Sequence, residues 1–133
     1  MARIVLMNDS EELLEMLRDL LQGEGYETII YSYAVEEMKR LEQLKPDLII
    51  LDIMMGASNP KGWNTLQKIK LHASLKSTPI IVCTAAEIFV REQEGYLTSK
   101  GVTTLLKPFD IDELLIAVQK SFALLKKDQP ESH

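Results

Sequence analysis

Leu48-Ile49-Ile50-Leu51-Asp52-Ile53-Met54-Met55 is the most apolar run in the chain, and a single carboxylate interrupts it. Pro46-Asp47 precedes the run, and Gly56-Ala57-Ser58-Asn59-Pro60-Lys61-Gly62, a loop by composition, follows it. A short apolar run with such boundaries predicts a buried strand from about Asp47 to Asp52. Asp52 then stands at the C-terminal tip of a strand, where open α/β sheets place their ligands.

The same kind of strand recurs on both sides. Arg3-Ile4-Val5-Leu6-Met7 runs into Asn8-Asp9-Ser10, and Pro79-Ile80-Ile81-Val82-Cys83 runs into Thr84-Ala85-Ala86. Val102 to Leu106 is followed by Lys107-Pro108-Phe109. Tyr26 to Tyr31 is the most polar strand, through Glu27 and Thr28, which suits a sheet edge. Helical spacing fills the intervals. Leu13, Leu14, Leu17, Leu20 and Leu21 mark the first helix, with a start near Asp9 signalled by a capping-box pair of Asp9 and Glu12, and an end at Gly23 and Gly25. Val35, Met38, Leu41 and Leu44 mark the second, closed by Pro46; Leu66, Ile69 and Trp63 mark the third, ending before Pro79. A fourth, of weaker pattern, covers Glu87 to Lys100, with Ile88, Phe89, Tyr96 and Leu97 as apolar positions. The fifth repeats through Ile111, Leu114, Leu115, Val118, Phe122 and Leu125, with Lys126 and Lys127 at its cation-favouring end. Buried strands alternating with amphipathic helices predict an α/β fold, a parallel sheet covered on both faces.

Bulk properties bound the function. A chain of 133 residues, 46% hydrophobic and 26% charged, makes one domain with an ordinary core. A net charge of −5 argues against nucleic acid or an anionic membrane as the main partner. One cysteine, Cys83 in an apolar run, excludes a disulfide framework and reads as a small buried hydrophobe in a reduced, cytoplasmic setting. No apolar run approaches the ~20 residues of a membrane span.

All strands of a parallel sheet end on one side, so Asn8, Asp9, Asp52, Thr84 and Lys107 converge on one rim. Two carboxylates repel, and Mg²⁺, which prefers oxygen ligands, relieves this. A carboxylate can attack phosphorus, and a metal, an ammonium group and a hydroxyl can hold the phosphoryl oxygens. Taken singly, each residue also has a plain role: Asp9 as a helix cap, Asn8 in a turn, Thr84 on backbone, Lys107 as a solvated charge.

Over nearly its whole length the sequence resembles the receiver domain of two-component response regulators. The matching stretches are Ile4 to Asp9, Asp47 to Met55, Pro79 to Ala85 and Leu106 to Phe109, in the right order and at the right separations. The resemblance implies a flavodoxin-like (βα)5 three-layer sandwich with strand order 2-1-3-4-5, spanning residues 1–127, with 128–133 a frayed tail or the start of a linker. It implies Asp52 as the phosphoacceptor, Asp9, Asp52 and the Met54 backbone carbonyl as Mg²⁺ ligands, Thr84 as the switch hydroxyl and Lys107 as the phosphoryl partner. It also implies a cis Lys107-Pro108 bond and a small residue, Ala85, beside the site. A histidine kinase or phosphotransfer protein would be the donor. A protein effector, not nucleic acid or membrane, would bind the face made by the fourth helix, fifth strand and fifth helix, roughly Ala86 to Leu125.

Three departures from the family pattern stand out. Asn8 replaces the first acid of the pair, so that position would meet Mg²⁺ only through water and without charge, and weaker metal binding is expected. Thr104 replaces an aromatic residue three before Lys107, so the usual hydroxyl–aromatic coupling lacks its second half; Tyr96 is a candidate substitute, against which a plain helix-surface role is the expectation. The glycine after the phosphoacceptor is matched by Gly62, ten residues on, which implies a two-residue insertion.

Other classes compete. A haloacid-dehalogenase-type phosphohydrolase needs a second aspartate two residues after the first, and Met54 stands there, so a switch and not a turnover enzyme is expected. A flavodoxin-like flavin carrier would meet an acidic turn, Asn8-Asp9-Ser10-Glu11-Glu12, where it needs to bind phosphate. A receiver-like module that works by binding alone is the closest alternative.

Overall fold

A computed structural model describes residues 1–54 and 61–128. The elements are β1 (Arg3–Met7), α1 (Glu11–Gly23), β2 (Glu27–Tyr31), α2 (Met38–Leu44), β3 (Leu48–Leu51), α3 (Lys61–Leu71), β4 (Ile80–Thr84), α4 (Glu87–Glu92), α5 (Glu94–Ser99), β5 (Thr103–Leu106) and α6 (Ile111–Asp128). The strands form one parallel sheet in the order β2-β1-β3-β4-β5. The polar β2 lies at an edge, as its glutamate and threonine predict.

Strand alternation divides the interior into two cores. Ile4, Leu6, Leu48, Ile50, Ile81 and Cys83 pack against Leu14, Leu17 and Leu21 of α1 and Leu114 and Val118 of α6. The intervening Val5, Met7, Ile49, Leu51, Ile80 and Val82 pack against Leu41, Leu66, Ile69, Val90 and Leu97 from α2, α3, α4 and α5. β3 is therefore apolar at every position, and β4 at every position before its terminal Thr84, because both strands are buried on both faces.

Several local expectations change. The cap of α1 is Ser10, not Asp9: Ser10 is extended and its Oγ accepts the Leu13 N–H at 3.2 Å. Asn8 Oδ1 takes the Ser10 N–H at 2.9 Å, so the turn is already held one residue earlier. Ser10→Ala is expected to lower stability by about 1 kcal/mol, the usual worth of an N-cap, measured as a shift in urea midpoint with the slope unchanged.

Val35 is buried but precedes α2, and the backbone leaves that helix at Lys45 in the left-handed region (φ 51°) just before Pro46. Gly25, after α1, also has positive φ (92°). The fourth helix of the sequence reading is two helices meeting at Gln93, whose N–H bonds to the Phe89 and Val90 carbonyls and whose own carbonyl takes the Leu97 N–H. Gly95, a weak helix former, lies just past that break. Helix α6 extends through Asp128, one residue into the expected tail; the remainder of that tail, and most of the loop carrying the inferred insertion, lie outside the described residues.

Candidate phosphoryl-acceptor site

The rim residues arrive on adjacent strand ends through ladder register. Met7 pairs with Leu51, and the Asp52 N–H donates to the Met7 carbonyl at 3.1 Å, which sets Asn8 and Asp52 side by side. Thr84 pairs with Leu106, and the Lys107 N–H donates to the Thr84 carbonyl at 2.9 Å, which sets Thr84 beside Lys107.

Asp52 is 5% exposed, and both its oxygens are engaged. Oδ2 lies 2.9 Å from the Lys107 ammonium, and Oδ1 accepts the Met54 N–H at 3.1 Å. A carboxylate buried this far needs such partners to replace the hydrogen bonds it gives up to water. Thr84 is fully buried, and its hydroxyl oxygen accepts the Ala86 N–H at 3.2 Å, so it is bonded to the turn before α4 and not to Asp52. Asn8 is buried and occupied with the Ser10 turn; Asp9, one residue on, is on the exposed rim. The Lys107-Pro108 bond is cis, as the resemblance implies. Two carboxylates and a backbone carbonyl at this rim would suit Mg²⁺, an ion that keeps several waters; among the described residues no group of three His, Cys, Asp or Glu side chains is placed to hold a metal ion.

Gly62 has a structural reason that its composition-level reading as a loop residue did not supply. A Cβ there would lie 1.7 Å from the Asp52 carbonyl oxygen, and the next residue, Trp63, donates its N–H to the Ile53 carbonyl at 3.1 Å. The start of α3 is thus clamped onto the backbone that carries Asp52. The Trp63 ring meets Phe89 of α4 edge-on at 5.1 Å between centroids, and Tyr96 of α5 at 5.4 Å. Tyr96 therefore has an interior contact besides its half-exposed surface, and Lys100 lies 5.9 Å from its ring centre. Such aromatic pairs contribute about 0.5–1.5 kcal/mol each beyond the area they bury. Burial, with the nearby Lys100 charge, pulls the pKa of Lys70 on α3 downward. Nothing in the linear sequence links Trp63 to residues 26 and 33 positions away; only the crossover of α3 and α4 over the same sheet face does.

Thr104 pairs with Val82 and lies on an open groove of about 400 Å³ that Val90, Leu97 and Val102 also line. Its short side chain leaves that space unfilled. Cys83 is buried beneath the rim, and burial pushes its thiol up to about 12. The folded protein is expected to resist iodoacetamide at neutral pH and to react fully only when unfolded, by mass spectrometry; rapid labelling of the native chain would contradict this.

Comparison with known proteins adds sequence and shape to this geometry. The family described as "Response regulator receiver domain" matches residues 4–119. The DNA-binding response regulator MtrA of Mycolicibacterium paratuberculosis is 30% identical over 129 residues, 97% of this chain and 53% of that protein. The heme response regulator HssR of Staphylococcus saprophyticus is 28% identical over 127 residues, 96% of this chain and 53% of the relative. The chain thus spans about half the length of these relatives. Among solved structures, the response regulator TrrA of Thermotoga maritima, in complex with Mg²⁺-BeF, superposes with a TM-score of 0.72 and 32% identity, over 91% of this chain and 99% of that one. The chemotaxis protein CheY4 of Vibrio cholerae superposes with a TM-score of 0.76 and 26% identity, over 91% and 98%.

Proposed function

This chain belongs to the response regulator receiver domain family, and from that premise we propose that it is a signalling switch set by phosphorylation of Asp52. The observation that carries the reading is the buried Asp52 carboxylate, 2.9 Å from Lys107, on a strand tip whose neighbour strand ends in Thr84. A carboxylate oxygen of Asp52 attacks the phosphorus of a phosphohistidine on a histidine kinase or phosphotransfer protein. The new P–O bond forms as the P–N bond breaks, and the leaving imidazole takes up a proton. Lys107 exchanges its carboxylate partner for phosphoryl oxygens, and the Thr84 hydroxyl leaves the Ala86 N–H to bind another. Asp9, Asp52 and the Met54 carbonyl would hold Mg²⁺, with Asn8 reaching it through water, and the ion supplies neutralising charge at the phosphoryl oxygens.

No second aspartate stands at Met54 to drive turnover, so the acyl phosphate persists long enough to bias two conformations that a partner distinguishes. We infer a protein partner on the α4–α5–β5–α6 face and a cytoplasmic setting; no helix among the described residues is long and apolar enough to cross a membrane. The first test is acetyl phosphate with Mg²⁺ followed by intact mass, with the gain of one phosphoryl group expected. Absence of any gain would favour the second reading, a binding module without phosphorylation, which the neutral Asn8 and the unfilled space at Thr104 favour.

Asn8→Asp provides a further check. The carboxylate can still accept the Ser10 N–H but adds charge beside Asp52. Mg²⁺ affinity is expected to rise roughly tenfold, about 1.4 kcal/mol, in a titration at fixed ionic strength. Stability without Mg²⁺ should fall through the added repulsion. Equal affinities for the two proteins would show that this position does not limit metal binding.

A further inference from the structure

We propose that Trp63 relays the state of Asp52 to α4 and α5, in place of the aromatic partner that Thr104 does not provide. This rests on Asp52 being the phosphoacceptor. Two connections leave the acceptor strand end toward this face. One runs through the Thr84 hydroxyl, which holds the Ala86 N–H at 3.2 Å, directly before α4. No side chain caps that helix. When Thr84 turns to a phosphoryl oxygen, the first turn of α4 loses its one tie to the hydroxyl. The other connection runs through α3. Gly62 lies against the Asp52 carbonyl too closely for any Cβ, and the Trp63 N–H holds the Ile53 carbonyl at 3.1 Å. The indole at the end of that rigid link packs edge-on against Phe89 of α4 and Tyr96 of α5, at 5.1 and 5.4 Å.

The two helices are short, six residues each, and separate at Gln93. Their placement depends on packing and not on helix propensity, because helices this short do not persist alone. The indole touches both halves, one ring on each side of the break. A change in the turn before α4 therefore alters the fit of Phe89 on Trp63 first, and the Tyr96 contact carries the adjustment into α5. The pair α4–α5 is the two-state element, and Trp63 is the contact that both states share with the acceptor backbone. Thr104 cannot do this: it lines the open groove beside Val90 and Leu97 and leaves its space unfilled.

The test reads phosphoryl uptake and the helix response on the same sample of the whole chain. Acetyl phosphate with Mg²⁺ is added, intact mass reports phosphoryl gain, and amide hydrogen exchange reports protection over residues 86–100. Wild type should gain one phosphoryl group, change its protection there, and shift the fluorescence of Trp63, the single tryptophan. Trp63→Leu should gain the phosphoryl group as wild type does but lose the change in protection. Phe89→Leu, which keeps the indole, should lose both the change in protection and the fluorescence shift while still gaining the phosphoryl group. This second variant decides the matter if Trp63→Leu does not fold. Normal phosphoryl gain with a wild-type change in protection, in either variant, overturns the relay and leaves the switch standing. A wild type that gains nothing overturns the switch and the relay together.

Discussion

Asp52→Asn is expected to abolish phosphoryl gain from acetyl phosphate, while the fold persists. The amide is nearly the same shape and can keep one of the two bonds now made by the carboxylate, either to the Met54 N–H or toward Lys107. It cannot keep both, because its nitrogen donates where the carboxylate accepts. Lys107 loses its counter-charge but is a quarter exposed, so water takes over part of its solvation and the loss in stability stays well below that of breaking a fully buried pair. Chemistry suffers far more. The amide nitrogen has no anionic lone pair to offer phosphorus, and the charge proposed to help hold Mg²⁺ disappears with it. Intact mass should show no gain at any donor concentration, with an unchanged circular dichroism spectrum. A phosphoryl group found on the D52N protein at wild-type yield would place the acceptor elsewhere.

Gly62→Ala is expected to destabilise the protein strongly, because among the described glycines only this one would press a Cβ into neighbouring atoms. The Cβ would sit 1.7 Å from the Asp52 carbonyl oxygen, 2.7 Å from the Ile53 carbonyl oxygen and 2.8 Å from the Asp52 carbonyl carbon. All three are backbone atoms, so no rotamer change can make room. Either α3 lifts from the strand end or the acceptor backbone shifts. Overpacking of this kind costs on the order of 3 kcal/mol, against which the better helix propensity of alanine offsets only about 1 kcal/mol. Thermal unfolding should fall by on the order of 10 °C. The same displacement moves Asp52 away from Lys107, so phosphoryl gain should slow as well. By contrast, Gly23→Ala meets no atom within 4 Å and serves as the matched control. Equal melting temperatures for the two variants would mean that the clamp on Asp52 does not exist in solution.

The legible part of this molecule is the part written in short-range pattern. Leu48 to Leu51 and Ile80 to Cys83 are apolar without alternation, and such runs become central strands of a doubly covered sheet. Glu27 and Thr28 marked the edge strand because only an edge tolerates them so readily. The rim residues followed from strand polarity alone: once the strands are parallel, Asn8, Asp52, Thr84 and Lys107 have to meet on one side. What pattern could not carry was anything decided by one hydrogen bond or one crossing. Asp9 and Ser10 are both good caps, and the choice between them came down to which residue was already tied by Asn8. The break at Gln93 interrupts a segment whose weak periodicity fitted one helix as well as two. Gly62 and Trp63 looked like loop and helix start, because the atoms that constrain them belong to Asp52, Ile53, Phe89 and Tyr96.

The two cores give the domain a front and a back. Residue parity along β4 sends Ile81 and Cys83 toward α1 and α6, whereas Ile80 and Val82 face α3, α4 and α5. Thr84 continues the second set, and so does Thr104, the register partner of Val82. On the proposed reading, a movement that begins at the strand tips is delivered first to the side that carries α3, α4 and α5, the side opposite α1. On that reading, a binding partner seated over α1 would meet nearly the same surface in either state, and one seated over α4 and α5 would not.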